Sequence, residues 1–379
     1  MTRRLLYLVT EDWYFWSHRL PQARAARDAG FEVLVATRIA DHGARIADEG
    51  FRVLPLPWRR EGGLIGQIPV IAELVRLYRR ERPDIVHHVA LKPVAFGALA
   101  ARIAGVPAVV NAITGFGFLA TSASLKARLL RTAIGLVLPP LTNRARARMI
   151  LQNDDDLALA LARGLTCRDR AVVIRGSGVD LTHFAALPEP AQGPVTIAIV
   201  SRMLRIKGID TLVDAVRLLR TRGLDVRLLL AGGPDPANPA SFTEATLKSW
   251  AAEPGIDWLG PVEDVRTVWA QAHIAVLASR GGEGVPKSLL EAAACGRAIV
   301  ATDVPGCRDV TGREGEAGFL VPPGDPEAMA EALARLAQDA GLRHRLAATA
   351  RQRAETLFGA ESIGRETVAL YETLLRETH

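Results

Sequence analysis

Short apolar runs alternate along this chain with longer segments whose apolar residues recur at helical spacing. Residues 5–9 read as a buried strand, followed by a helix from about 17 to 30 and a second strand over 32–36. Further strands are predicted at 85–88, 108–111, 149–152 and 171–174, with the helical GALAARIAG between two of them. Continuous, often β-branched runs joined through helices predict a parallel sheet covered on both faces. Residues 187–194 hold three prolines and a glycine, which neither a helix nor a central strand tolerates, and read as a linker. The alternation then restarts, with strands at 195–200, 226–231, 274–277 and 298–301 and helices at 208–220, 265–271 and 286–295. Residues 326–376 are predicted largely helical. The fold class is therefore α/β: two Rossmann-like doubly wound domains, 1–186 and 195–359, facing across a cleft. Ligands of such sheets sit beyond the carboxyl ends of the strands.

Composition sharpens the picture. The chain has 379 residues, 49% of them hydrophobic and 23% charged, enough for two or three domains and too apolar for disorder. It contains no apolar block long enough to cross a membrane, and its first apolar run leads straight into Glu11 and Asp12, as a first strand does and a signal peptide does not. Cys167, Cys295 and Cys307 form no CxxC pair, which argues against a disulfide framework or a cysteine zinc site and suits a reducing cytosol. The net charge of +6 is unevenly spread: residues 1–190 carry 26 Lys and Arg against 17 Asp and Glu, and the remainder 21 against 24. Either the first half meets an anionic partner or its basic helices are simply solvated.

The most informative segment is Ser279-Arg-Gly-Gly-Glu-Gly-Val-Pro-Lys-Ser-Leu-Leu-Glu-Ala-Ala-Ala-Cys-Gly296. A strand ends near Ala278, glycines permit a tight turn, and Pro286 stands where a first helical residue would. The amides of Lys287 and Ser288 then open toward the cleft, where a helix N-terminus favours phosphate by its donors and its dipole. Glu283 lies in the loop and Glu291 in the helix, so one carboxylate can face a sugar and the other the ribose hydroxyls. Two acids at this spacing also describe a capped surface helix; the ordered string of strand, glycine loop, proline and helix carries the ligand reading. A second segment, Val200-Ser-Arg-Met-Leu-Arg-Ile-Lys-Gly-Ile-Asp210, places Arg202 and Lys207 in a strand-to-helix loop, where fixed cations can stabilise a departing diphosphate. The same loop also reads as ordinary basic surface.

With Asp303-Val-Pro-Gly-Cys-Arg308, these two segments resemble glycosyltransferase family 4. In the first half, Asp84-Ile-Val-His-His, Lys92-Pro, Asn111-Ala-Ile-Thr-Gly-Phe-Gly, Gln152-Asn-Asp-Asp and Gly176-Ser-Gly-Val-Asp180 are similar to the branch that extends polyprenyl-diphosphate-linked glycans, including enzymes that add N-acetylgalactosamine to a lipid-linked bacillosamine. The resemblance implies a GT-B fold, a UDP-sugar donor held mainly by the second half, retention of anomeric configuration, and neither a catalytic metal nor a further cofactor. It implies that Arg202 and Lys207 hold the diphosphate, Glu291 the ribose and Glu283 the donor sugar hydroxyls. It further implies that the amides of Gly284 and Val285, with Pro286 and Ser288, complete the donor site. The last helix, about 360–379, is implied to pack back on the first domain.

The chain also departs from that pattern. Many members have a glycine-rich turn after the first strand; here it is Thr10-Glu-Asp-Trp-Tyr-Phe-Trp-Ser-His-Arg19, whose rings beside His18 either line an acceptor site or lid the core. Many members also have a histidine where this chain has Thr114 and Gly115. Thr114, Gly115, Lys92, His87 and His88 are the remaining acceptor-side candidates, the two histidines reading equally as hydrogen-bonded core groups. Asp154-Asp-Asp156 mimics a metal-binding motif but precedes an apolar helical run, so it reads as a helix start and no metal is predicted.

Residues 125–148 mix leucines with six cations and no acid, which suits an anionic membrane surface as well as a packed helix with a charged outer face. Together these readings describe a cytoplasmic transferase, peripheral on the inner face of the plasma membrane, acting on a nucleotide sugar and a lipid-diphosphate-linked saccharide, with no nucleic-acid partner. A nucleotide-sugar epimerase and a non-catalytic nucleotide-binding subunit are the competing readings. A dehydrogenase is disfavoured because no Gly-x-Gly-x-x-Gly follows residues 5–9.

Overall fold

The computed structural model describes residues 2–58, 68–116, 128, 132, 134–312 and 315–377. It divides into two compact units, one formed by residues 1–178 and 360–379 and the other by 179–359. Among the described residues the first unit has a parallel sheet of strands β1 (Arg3–Glu11), β2 (Phe31–Arg38), β3 (Arg52–Pro55), β4 (Ile85–Val89), β5 (Ala108–Ala112), β6 (Ala147–Leu151) and β7 (Ala171–Val173). Their order is β3-β2-β1-β4-β5-β6-β7, so the winding reverses between β1 and β4, where Tyr7 lies beside His87.

The second unit repeats the plan with β8 (Val195–Val200), β9 (Val226–Ala231), β10 (Ile256–Gly260), β11 (Ile274–Leu277), β12 (Ala298–Thr302) and β13 (Gly318–Val321). The order is β10-β9-β8-β11-β12-β13, and its reversal falls between β8 and β11. Two parallel, doubly wound sheets of this kind are Rossmann-like.

Alternation along the strands divides each core into two faces. Leu5, Tyr7 and Val9 join Ala23, Ala26, Ile363 and Tyr371 on one side of the first sheet. Leu6 and Leu8 join Leu74, Tyr78 and Ala101 on the other. Each such aliphatic side chain, fully buried, contributes about 1.5–3 kcal/mol. The helix Ala360–Arg376 packs on Leu20–Asp28, and Gly364 permits the approach, because a Cβ there would stand 2.8 Å from that of Ala25.

The predicted helix over 17–30 is two helices, Asp12–His18 and Leu20–Asp28, broken at Arg19. Pro21 supplies the reason: without an N–H it cannot continue a preceding helix, though it fits the first turn of the next. The proline-rich stretch 187–194 lies within the second unit. The buried Arg297 guanidinium donates to the carbonyls of Ala272, Leu187 and Pro188, and Arg343 pairs with Glu189 at 2.8 Å.

Three strands had no strong sequence signal: β3, β10 and β13. All three are sheet edges; charged residues interrupt β3 and β10, and β13 is only four residues long and opens on Gly318.

Candidate functional site

In the second unit, chain reversal at β8/β11 brings the two informative loops together. Gly208 has φ +65, and a Cβ on it would lie 2.0 Å from the Ala278 carbonyl oxygen, so only glycine lets the loop after β8 rest on the end of β11. The Arg280 amide donates to Ile206 O at 2.8 Å, and its guanidinium reaches Arg205 O and Asp210. The contact sets Lys207 Nζ 2.6 Å from Glu283 Oε1, which also accepts from the Ser279 hydroxyl. Burial pushes the Glu283 carboxyl up, but the Lys207 charge and hydrogen bond, the Ser279 hydroxyl and the Arg202 charge outweigh it and hold it below its usual value. The residue is thus an oriented carboxylate with its second oxygen available.

The helix of the long motif is Lys287–Ala294. Pro286 is its N-cap, with extended backbone, and not its first helical residue as its position in the sequence predicts. Proline also fits this position, since an N-cap amide is not needed for helical bonding. Ser288 follows in the first turn. Gly284 and Val285 lead into it, and Gly306 packs against them so closely that a Cβ would fall 1.2 Å from Gly284 O. The Asp303–Arg308 motif therefore shapes the floor of the loop, helped by Thr302 Oγ1 donating to Ser279 O at 2.6 Å. Glu291 is buried and lies 3.4 Å from Lys287 Nζ. Burial raises its carboxyl, and Lys287 only partly offsets this.

Arg202, placed beside Lys207 by the sequence reading, is 53% exposed in its side chain and pairs with Asp235 at 3.2 Å. Asp235 was not singled out from the sequence. The Gly232-Gly233 pair before it was the available signal: a Cβ on Gly232 would stand 1.8 Å from Ser201 O, marking another backbone contact at a strand end. Ser279, the second partner of Glu283, stands at the start of the same motif, four residues before it.

In the first unit, Lys92 follows β4 and lies 4.9 Å from the Trp58 ring centroid. Burial lowers its ammonium, while the Glu11 charge at the end of β1 raises it. His18 stacks on Tyr14 at 4.2 Å and meets Ser17 Oγ. Trp16 lies under the Arg45 guanidinium, and Phe15 is buried in the core. Thr114 and Gly115 are partly exposed after β5, with Gly115 at φ 107.

The histidine pair corrects the acceptor-side expectation. His87 and His88 are 1% and 0% exposed, on opposite faces of the sheet. His88 Nδ1 donates to Asn111 Oδ1 at 2.9 Å and Nε2 accepts from Tyr78 OH at 3.1 Å; burial lowers the ring to about 4 despite the Asn111 bond. Gly97 makes room for it, since a Cβ would lie 2.5 Å from His88 Cδ2. His87 stacks on Tyr7 and bonds Tyr371, far below its usual titration because of burial, the Arg19 charge and His88. Both are core histidines.

Asp154–Asp156 occupy the first turn of the helix Asp154–Ala162. The cap itself is Asn153, whose side chain accepts from the Asp156 amide and donates to its carboxylate. Of the basic segment 125–148, residues 125–127, 129–131 and 133 lie outside the described residues. Leu136 and Val137 are 73% and 59% exposed. Nearby, a cavity of about 380 Å³ is lined by Leu91, Phe116, Ile134 and Leu165, with Arg128 and Arg163. Among the described residues no helix is long and apolar enough to cross a membrane.

Residues 4–143 match the family described as glycosyl transferase 4-like, and residues 194–339 that described as glycosyl transferases group 1. The chain is 25% identical over 374 residues, covering 94% of itself and 95% of its relative, to the N,N'-diacetylbacillosaminyl-diphospho-undecaprenol alpha-1,3-N-acetylgalactosaminyltransferase of Campylobacter jejuni. It is 24% identical to the capsular polysaccharide biosynthesis glycosyltransferase CapM of Staphylococcus aureus, with 85% of each covered. It is 26% identical to an Escherichia coli UDP-Gal:alpha-D-GlcNAc-diphosphoundecaprenol alpha-1,3-galactosyltransferase, covering 74% of this chain and 73% of that one. Anabaena HepE, solved with UDP and glucose, superposes with a TM-score of 0.79 at 18% identity, covering 98% and 100% of the two chains. Sucrose-phosphate synthase from Thermosynechococcus elongatus does so with 0.82 at 20% identity, covering 99% and 100%.

Proposed function

Because the chain belongs to glycosyltransferase family 4 and has the GT-B fold, we propose that it moves a hexose or N-acetylhexosamine from a UDP-sugar to a saccharide carried on a lipid diphosphate. Transfer retains the anomeric configuration and uses no catalytic metal or further cofactor. The observation that carries this reading is the Lys207–Glu283 pair, held where the second sheet reverses and next to the N-terminus of the helix Lys287–Ala294.

The chemistry follows from the donor set. The acceptor hydroxyl attacks the anomeric carbon on the face that the diphosphate leaves. The bond from that carbon to the phosphate oxygen breaks, its electrons stay on the diphosphate, and the acceptor proton passes to a departing phosphate oxygen. Lys207 and Arg202 offset the charge that develops there, with the amides of Gly284, Val285 and Ser288 adding donors. Glu283, oriented by Lys207 and Ser279, accepts from hydroxyls of the donor sugar. Glu291 accepts from the ribose. This route needs no pair of nucleophile and acid carboxylates flanking the bond.

Support for UDP and a lipid diphosphate comes from the relatives' names: the Escherichia coli protein is named for UDP-Gal and for a diphosphoundecaprenol acceptor. The exposed Leu136 and Val137 within a basic segment suit attachment to an anionic membrane surface at the cytoplasmic face. A flotation assay that shows no dependence on anionic lipid would sink the attachment.

The transferase reading is tested with purified protein, UDP-, GDP- and dTDP-sugars, and lipid-diphosphate-linked sugars, with and without EDTA. Nucleotide release is expected only with a UDP-sugar and a lipid acceptor together, unchanged by EDTA. A new nucleotide sugar formed without acceptor would make the protein an epimerase.

A further inference from the structure

The cavity of about 380 Å³ in the first unit reaches the carboxyl ends of that unit's own strands. Among its walls are Leu91, which follows β4, and Phe116, which follows β5 and comes directly after the acceptor-side candidates Thr114 and Gly115. Ligands of doubly wound sheets sit at such strand ends, and small-molecule sites span roughly 300–1,000 Å³. The floor is apolar: Phe116 and Leu165 are buried, and with Leu91 and Ile134 they join the cluster around Val94, Leu138 and Leu157.

Two observations say what the cavity takes. The first is Gly135, which lies among the helical residues 134–137 and lines the cavity; a Cβ there would meet nothing within 4 Å. Glycine weakens a helix relative to alanine, and no close approach among the described residues asks for it here. Its missing side chain keeps the cavity open. The second observation is charge. Arg128 and Arg163 stand at the cavity, exposed and without an ion pair among the described residues. No acidic residue occurs in the sequence between Asp84 and Asp154 to neutralise them.

An apolar cavity with two unspent cations matches a ligand that has one apolar chain and a multiply charged anionic end. A phosphodiester lipid offers two chains and a single charge, whereas a prenyl diphosphate that carries a sugar offers one chain and a doubly charged end. Leu136 and Val137, next to Gly135 and exposed, leave apolar surface along which the rest of a long chain can run. We propose that this cavity holds the diphosphate and the first isoprene units of the acceptor's lipid carrier. Arg128 and Arg163 meet the phosphates, and Phe116, Ile134 and Leu165 pack on the chain. The assignment rests on the transferase reading and adds to it where the lipid end of the acceptor is held.

Calorimetric titration of the full chain with farnesyl diphosphate, farnesol, inorganic diphosphate and UDP tests this without requiring turnover. Wild type is expected to bind farnesyl diphosphate more tightly than farnesol or inorganic diphosphate, because only the first uses both the apolar floor and the cations. Gly135→Leu puts a side chain into the open space. It is expected to weaken farnesyl diphosphate binding by about tenfold or more, to leave UDP binding unchanged and to melt no lower than wild type. Arg163→Gln is expected to weaken farnesyl diphosphate binding by about tenfold, as loss of a charge-assisted contact does, and to leave farnesol binding unchanged. Arg163 is exposed, so this variant keeps the comparison open should Gly135→Leu fail to fold. Farnesyl diphosphate binding that is absent in wild type, or unchanged in both variants, overturns the proposal. So does binding to phosphatidylglycerol vesicles that Gly135→Leu abolishes while farnesyl diphosphate binding stays whole, which would give the cavity to a membrane phospholipid. A failed transfer assay alongside farnesyl diphosphate binding that depends on Gly135 and Arg163 would sink the transferase reading alone.

Discussion

Lys207 and Glu283, 76 residues apart in sequence, meet at 2.6 Å between Nζ and Oε1, with side-chain exposures of 20% and 13%. The pair was expected as two separate contacts, a cation for the diphosphate and a carboxylate for the sugar. Joined, each fixes the geometry of the other before any donor arrives. Preorganised charge of this kind stabilises a transition state without reorganisation during the reaction.

Removing the cation should therefore harm both roles. Lys207→Met is expected to lower turnover by on the order of a hundredfold, as loss of one charge-stabilising contact does. It also leaves Glu283 buried with the Ser279 hydroxyl as its remaining hydrogen-bond partner among the described residues, at a cost of about 1–3 kcal/mol in stability. Steady-state kinetics and thermal melting check the two effects, and near-wild-type turnover would remove Lys207 from the site.

Two carboxylates give opposite pH signatures. Glu283 has a lowered value in the folded chain, so its contribution to stability is present above about 4.5, the unfolded value, and is lost as pH falls through the folded value. Asp156 is raised by burial to about 6 from 3.8; the Asn153 bond lowers it and the Asp155 charge raises it. Its stabilising contribution is complete below about 3.8 and is lost as pH rises through about 6. Melting temperature against pH for Glu283→Gln and Asp156→Asn should show the acid-side and neutral-side slopes flattened respectively. Unaltered slopes would refute these assignments.

Gly208→Ala should separate loop placement from side-chain chemistry. The new Cβ meets the Ala278 carbonyl at 2.0 Å in a left-handed backbone, so a loss of at least about 2 kcal/mol is expected, together with reduced donor binding. Melting and UDP titration report both; full UDP affinity would show that Lys207 does not depend on this contact.

Tyr371→Phe tests how the last helix is tied to the first sheet. The change strips a partner from both Tyr7 OH and His87 Nδ1, and about 1–3 kcal/mol of stability should be lost. Chemical denaturation measures it. An unchanged midpoint would mean that apolar packing by Ile363, Leu370 and Leu374 alone holds the helix.

Much of this was legible along the chain. Central strands such as β8 and β11 carry continuous apolar runs because both their faces are covered, and the glycine-rich loops after them announce close backbone contact. The edge strands β3, β10 and β13 were not legible: charged residues interrupt β3 and β10, and β13 is four residues long and opens on a glycine. The break at Arg19 was signalled by Pro21, and the linker-like stretch 187–194 gave no sign that buried Arg297 clasps its carbonyls.

The order of strands, the loops that follow them and the residue types offered at their ends are local properties, set by side-chain periodicity and by backbone freedom at glycine and proline, and the sequence alone determined them. Tertiary structure decided which charges meet. It joined Lys207 to Glu283 and Arg202 to Asp235, and enclosed His87 and His88 in the core. Those outcomes depend on the points where each sheet reverses its winding, which bring distant strand ends side by side, and no short stretch of sequence encodes that proximity.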